Sequence, residues 1–99
     1  MTAKYSDGTY YFRSWSGYDI PFKPVKPISY EEAIALDTYY VGQYENGNLV
    51  CFEKNYKQVK EWTDEYSYHS NGKLKSRKMT KVDGSIIYQE YDAKGNVLK

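Results

Sequence analysis

The chain has 99 residues, enough for one domain with one modest core and too few for a second independent fold. Fourteen Lys and Arg against thirteen Asp and Glu leave a net charge of +1, which excludes a global field steering the molecule toward nucleic acid or anionic membrane. Aromatics make up 18% of residues and thirteen are Tyr, so tyrosine rings must supply much of the buried area, while a lone Cys51 and a lone His69 exclude an internal disulfide and a cysteine or histidine metal cage.

Residues 1–8 are polar and expected to fray, and 9–99 are expected to form the single domain. Thr9 to Trp15 has the β-branched and aromatic content of a strand, and Ser16-Gly17 reads as a turn. Pro21, Pro24 and Pro27 then recur at a spacing of three, which favours extended polyproline II over a sheet centre. Residues 20–28 are therefore expected to be a strap laid across the domain, with Phe22 and Val25 inward. Ser29 and Glu32 make a capping box, acids fill the first turn, and Ala33 to Leu36 suit a helix over 29–37.

From Thr38 onward strand and turn signals alternate, with runs near 38–45, 49–56, 60–69, 73–82, 85–91 and a stub at 96–98. Three of these hairpins repeat one pattern, a tyrosine leading through a glycine turn to an aliphatic residue: Tyr44 to Leu49, Tyr68 to Leu74 and Tyr91 to Val97. The fold class expected is mainly β (α+β), an antiparallel meander of five or six strands over 38–98 with one short helix and the Pro-rich strap.

Within 60–69, Trp62, Tyr66 and Tyr68 fall on one face, with Glu61, Thr63, Glu65, Ser67 and His69 on the other. A three-residue loop at Ser70-Asn71-Gly72 sets Tyr68 against Leu74, Glu65 against Arg77 and Glu61 against Lys81. A two-residue Asp83-Gly84 turn pairs Thr80 with Ile87 and Arg77 with Glu90, placing Arg77 between two glutamates on the solvent side. In the first hairpin, an Asn46-Gly47 turn sends Val41, Val50 and Phe52 to one face and Tyr40, Tyr44, Leu49 and Cys51 to the other, so both sides need cover and the helix is a natural lid.

The segment Tyr11-Phe12-Arg-Ser-Trp-Ser16-Gly17-Tyr-Asp-Ile-Pro21-Phe-Lys23-Pro, with Glu65-Tyr66-Ser-Tyr68-His69-Ser-Asn71-Gly72-Lys-Leu74 later, resembles a small bacterial family of unknown function. The resemblance implies bacterial origin, small size and the same layout, and it transfers no functional residue. More loosely the glycine hairpins resemble MORN-type repeats, which serve as interaction scaffolds. The uneven glycine spacing, the strap and the helix depart from that pattern.

His69 with Asp64, Glu65 and Ser70 supplies the residue types of a catalytic triad, but Ser70 lies in a surface turn and His69 beside it, without the shelter that nucleophilic catalysis needs. Cys51 lacks a second cysteine or a close basic motif, so a packed thiol is expected. Asp7, Asp83 and Asp92 are lone turn residues rather than a hard-cation loop. Lys73, Lys75, Arg77 and Lys81 with Tyr88 form a basic stripe that could hold single-stranded nucleic acid, yet Glu61, Glu65 and Glu90 beside them are expected to neutralise it.

No catalytic residue, metal ligand or cofactor is therefore assigned, and the chain is expected not to be an enzyme. The binding residues expected are Trp15, Tyr18, Phe22, Lys23, Trp62 and Tyr88, where large rings beside a glycine turn and a P-x-x-P stretch bring contact area at low entropy cost. The expectation is a protein-interaction module, such as an immunity or accessory subunit, meeting a protein partner or its own copy through a sheet edge or aromatic face. The alternative is a small-molecule or carbohydrate binder, or a small enzyme, with a pocket between helix, strap and sheet. No apolar run approaches the roughly 20 residues of a membrane span, and Met1 to Tyr11 lacks a signal-peptide core, so a cytoplasmic protein is expected.

Overall fold

The computed structural model describes residues 6–17 and 20–98. Among them eight strands pair into one antiparallel sheet: β1 Gly8–Ser16, β2 Lys23–Ile28, β3 Thr38–Glu45, β4 Asn48–Tyr56, β5 Val59–Tyr68, β6 Leu74–Lys81, β7 Ile86–Tyr91 and β8 Val97–Leu98. Their spatial order is β2-β1-β3-β4-β5-β6-β7-β8, and the helix α1, Tyr30–Ile34, joins β2 to β3 across β1. The meander over 38–98 is present, but the sheet has eight strands rather than five or six. The two extra are β1, whose residues pair with β3 from Gly8↔Tyr44 to Phe12↔Tyr40, and β2.

β2 corrects the expected strap. Its prolines are tolerated because the strand lies at the sheet edge, where a missing N–H removes no bond from a central ladder. The chain that crosses the sheet is the short connection before it, through Ile20, Pro21 and Phe22, entered by a cis Ile20-Pro21 peptide. Of residues 1–8, expected to fray, 1–5 lie outside the described residues and Gly8 already begins β1. Asp7 Oδ1 accepts the Asn46 N–H at 2.8 Å.

The helix is one turn and a half. Ser29 Oγ accepts the Glu32 N–H at 3.1 Å and Glu32 Oε1 accepts the Ser29 N–H at 3.0 Å, the reciprocal box that its residues foretold. That bond to the Ser29 backbone also lowers the Glu32 carboxyl pKa. α1 ends by Ala35 rather than Asp37, since the backbone must enter β3 at Thr38.

Turn chemistry sets the register. His69 and Lys73, Lys81 and Ser85, and Asp92 and Asn96 each close a three-residue loop by an N–H to carbonyl bond of 2.8 to 2.9 Å. Each loop ends in a glycine at positive φ, 89° at Gly72, 88° at Gly84 and 99° at Gly95. The Asp83-Gly84 turn thus holds three residues, not two, and Thr80 faces Ile86 while Arg77 faces Gln89.

Three register shifts interrupt the ladders, between Gln43 and Tyr44, Lys54 and Asn55, and Ser67 and Tyr68, and two of them overturn the expected faces. One between Ser67 and Tyr68 keeps the expected Tyr68↔Leu74 pair but sets Glu65 against Lys78, Tyr66 against Arg77 and Trp62 against Lys81. Another between Gln43 and Tyr44 brings Leu49 and Phe52, expected on opposite faces, to the same one. That front face carries the main core: Phe12, Tyr44, Leu49, Phe52 and Tyr66 are buried, with Trp15, Phe22 and Trp62 packed on them. Gly42 lies beneath, where an added Cβ would stand 3.0 Å from the Phe12 ring and 3.2 Å from Leu49. The back face is covered only where α1 sits, by Ala33 against Tyr39 and Val41 with Tyr11 and Ile28 around them. The first hairpin is accordingly covered on both sides.

Candidate functional site

Phe22 organises the front face. Its ring lies 4.8 Å from Trp15, 5.2 Å from Trp62 in a stacked pair and 5.6 Å from Phe52, and Tyr40 stacks on Phe52 at 5.5 Å. Three of the expected binding residues, Trp15, Phe22 and Trp62, are therefore together, but as a half-buried wall in which Phe22 fills the space between the two tryptophans. Lys23 is exposed just beyond it. Tyr18 lies outside the described residues. Tyr88 is separate: it stands on β7, level with Lys78 and Glu65, on the opposite face of the sheet.

Beneath Phe22 runs a polar chain. The Phe22 N–H donates to the Tyr66 hydroxyl at 3.3 Å, Tyr66 donates to Asp64 Oδ2 at 2.9 Å, and Arg77 grips Asp64 through Nε at 3.2 Å and Nη2 at 2.7 Å. Asp64 is fully buried and the Arg77 side chain 15% exposed. Burial, aided by the neighbouring carboxylate, pushes the Tyr66 pKa far above its usual value, so the phenol stays a proton donor. This network ties the crossing segment to β5 and β6. Among the described residues no buried side-chain nitrogen or oxygen lacks a hydrogen-bond partner.

The network also dissolves the expected basic stripe and its ladder. Arg77 points into the core because the bulge flips it there, and Glu61 pairs instead with Lys54 at 3.2 Å, while Lys60 meets Glu53 at 3.4 Å. Sequence reading missed Asp64 as a core residue. The signal was available, since Asp64 is a charged residue set between Trp62 and Tyr66 on the alternating aromatic face.

The remaining candidates for chemistry are placed as follows. His69 Nε2 sits 2.8 Å from the Tyr91 carbonyl and ties two hairpins together, with Ser70 exposed in its loop. Burial, then the Glu53 and Glu65 carboxylates, push the Cys51 thiol up to about 11. No cluster of His, Cys, Asp or Glu that could hold a metal occurs among the described residues. Nor is any described helix long and apolar enough to cross a membrane.

Two surfaces stand open. A cleft of about 590 Å³ lies between the Pro21–Val25 stretch and the β3–β4 turn, with Phe22, Tyr44, Leu49 and Tyr68 on its walls. The helix is not part of it: among the described residues α1 packs on the back face and the crossing segment on the front, so these do not line one pocket together. The other is the C-terminal wing, where consecutive residues of β7 are bare on alternate faces: Ile86 is 55%, Ile87 42% and Tyr88 56% exposed, and on β8 Val97 is 60% and Leu98 44%. Ile86-Ile87-Tyr88 breaks the apolar and polar alternation, which is how this two-sided surface shows in the sequence.

A family model described as Family of unknown function (DUF6156) matches residues 4–99. No curated protein and no solved structure matches the chain.

Proposed function

We propose that this chain, which belongs to that family of unknown function, is a non-enzymatic recognition module for a protein, of the kind that serves as an immunity or accessory subunit. The observation that carries this reading is the wing: apolar side chains exposed on both faces of β7 and β8, a surface that water penalises and a partner can cover. The polar groups that could do chemistry are engaged in holding the fold, which agrees with a binding rather than a catalytic role. A cytoplasmic location and a bacterial host belong to the same reading.

Affinity capture from the native host tests it, with wild-type chain beside Tyr88→Ala, Ile87→Lys and Trp15→Ala. The expected result is a partner retained by wild type and by Trp15→Ala and lost from the two β7 variants. Retention by every variant sinks the wing as the binding surface. The second reading, a small-molecule or carbohydrate site, rests on the apolar cleft beside Phe22 and Tyr68. A ligand found by tryptophan fluorescence, with affinity lost in Lys23→Ala or Tyr44→Ala and unchanged in Tyr88→Ala, would favour it.

A further inference from the structure

The front-face cleft does not end at Tyr68. A second cavity of about 270 Å³ lies between Ile20, Leu74 and Tyr91, and it shares the walls Pro21 and Tyr68 with the first, so the two make one trough beside the crossing segment. At the junction the Tyr68 hydroxyl donates to the Leu49 carbonyl at 2.6 Å, which fixes the ring. The charges along the trough are of one sign. Lys23 lines the cleft and Lys73 the second cavity, both exposed, and no carboxylate among the described residues lines either. The ion pairs among the described residues, Lys54 with Glu61, Lys60 with Glu53 and Arg77 with Asp64, engage neither lysine. In a chain of 14 bases and 13 acids this bias is local rather than a reflection of net charge. Two hollows around the β3–β4 turn lack it, since each includes Glu45 and one of them Asp7 as well.

We infer that this trough binds an extended acidic peptide segment of a protein partner, with apolar side chains seated in the two cavities on either side of Tyr68 and a carboxylate opposite each lysine. The inference rests on the reading of the chain as a protein-recognition module and gives it a surface other than the wing. Shape separates a peptide from a small ligand. A small-molecule pocket encloses most of its ligand, whereas this trough is open along its outer side. An extended chain spreads over such a surface and sets alternate side chains into successive hollows. The rigid Pro21 and the pinned Tyr68 ring offer contact area that loses little entropy on binding. On the cleft wall the Asn48 amide can both donate to and accept from a peptide unit. Charge separates a peptide from nucleic acid, since affinity for a phosphate backbone grows with the number of charges neutralised and two lysines are few.

Random peptides of about twelve residues, displayed on phage and selected on the immobilised chain, test this, with fluorescence anisotropy of the labelled winners to measure affinity. The selected peptides are enriched in Asp and Glu flanking apolar residues, and they bind with a Kd of about 1–100 µM. Lys23→Glu and Lys73→Glu, each with an unchanged far-UV spectrum, weaken binding about five- to tenfold. Lys78→Glu, the same change of charge on the opposite face of the sheet, leaves it unaltered. Selection repeated on the double variant, Lys23→Glu with Lys73→Glu, returns peptides with Lys and Arg in the acidic places. No peptide selected, winners without acidic bias, binding that survives both reversals, or a single-stranded oligonucleotide of mixed sequence held more tightly than the best peptide, overturns the inference. The wing is read by capture of the native partner and the trough by these peptides on the purified chain, so the two fail separately.

Discussion

Removing either member of the Arg77–Asp64 pair should cost more than truncating any other polar side chain among the described residues. Arg77→Met leaves the fully buried Asp64 carboxylate with only the Tyr66 hydroxyl, where it now has three bonds of 2.7 to 3.2 Å. Breaking a buried pair by deleting one partner costs about 3–5 kcal/mol, because the survivor remains charged without compensation. A domain of this size has roughly 5–15 kcal/mol in total, so the variant loses a large fraction of its stability. Asp64→Leu should cost a similar amount by stranding the guanidinium. The double variant should lie within about 2 kcal/mol of wild type, the residue of that cost being the Tyr66 hydroxyl left without its acceptor. Urea unfolding followed by circular dichroism and tryptophan fluorescence gives all four stabilities. Single variants within about 1 kcal/mol of wild type, or losses that simply add, would refute the claim that this pair is electrostatically interdependent.

Alkaline unfolding should be governed by buried phenols. Burial raises the Tyr66 and Tyr68 pKa above the ordinary 10.0, so the unfolded chain gives up these protons at lower pH than the folded one. Their stabilising effect is whole below pH 10.0 and falls as pH rises beyond it, by up to about 1.4 kcal/mol per pH unit for Tyr66; Tyr66→Phe should flatten that slope in urea titrations at pH 9 to 11.5. Cys51, with its thiol held at about 11, should react with a thiol reagent at pH 8 far more slowly in the native chain than in urea, and equal rates would contradict its burial. The β4–β5 turn places Lys57 and Gln58 at φ of 50° and 67°, a strained choice for residues with a Cβ. Gln58→Gly should therefore stabilise the fold by about 1 kcal/mol, read as a melting temperature roughly 4–8 °C higher, even though the 3.3 Å bond to the Ile34 carbonyl is lost.

Local chemistry was sufficient for much of this fold. The capping box at Ser29 and Glu32, the glycine turns and the alternating runs are decided within a few residues of chain, and the strands from Thr38 to Leu98 stand where those signals put them. The family resemblance likewise lay in contiguous motifs, and the family model matches residues 4–99. Tertiary structure decided what depends on distant partners. Whether the Pro-rich stretch is a strap or an edge strand turns on β1 being free to pair with it, and proline forbids a centre but not an edge. Which face receives Arg77 turns on one extra residue in a bulge, to which the strand pattern of β6 is blind, because a slip of one position inverts every side chain that follows. The wall formed by Trp15, Phe22 and Trp62 and the bare wing at β7 follow from the same cause: the crossing segment covers the strands it reaches, as far as Leu74 and Arg77 of β6, while Ile86 to Tyr88 and the residues of β8 stay exposed.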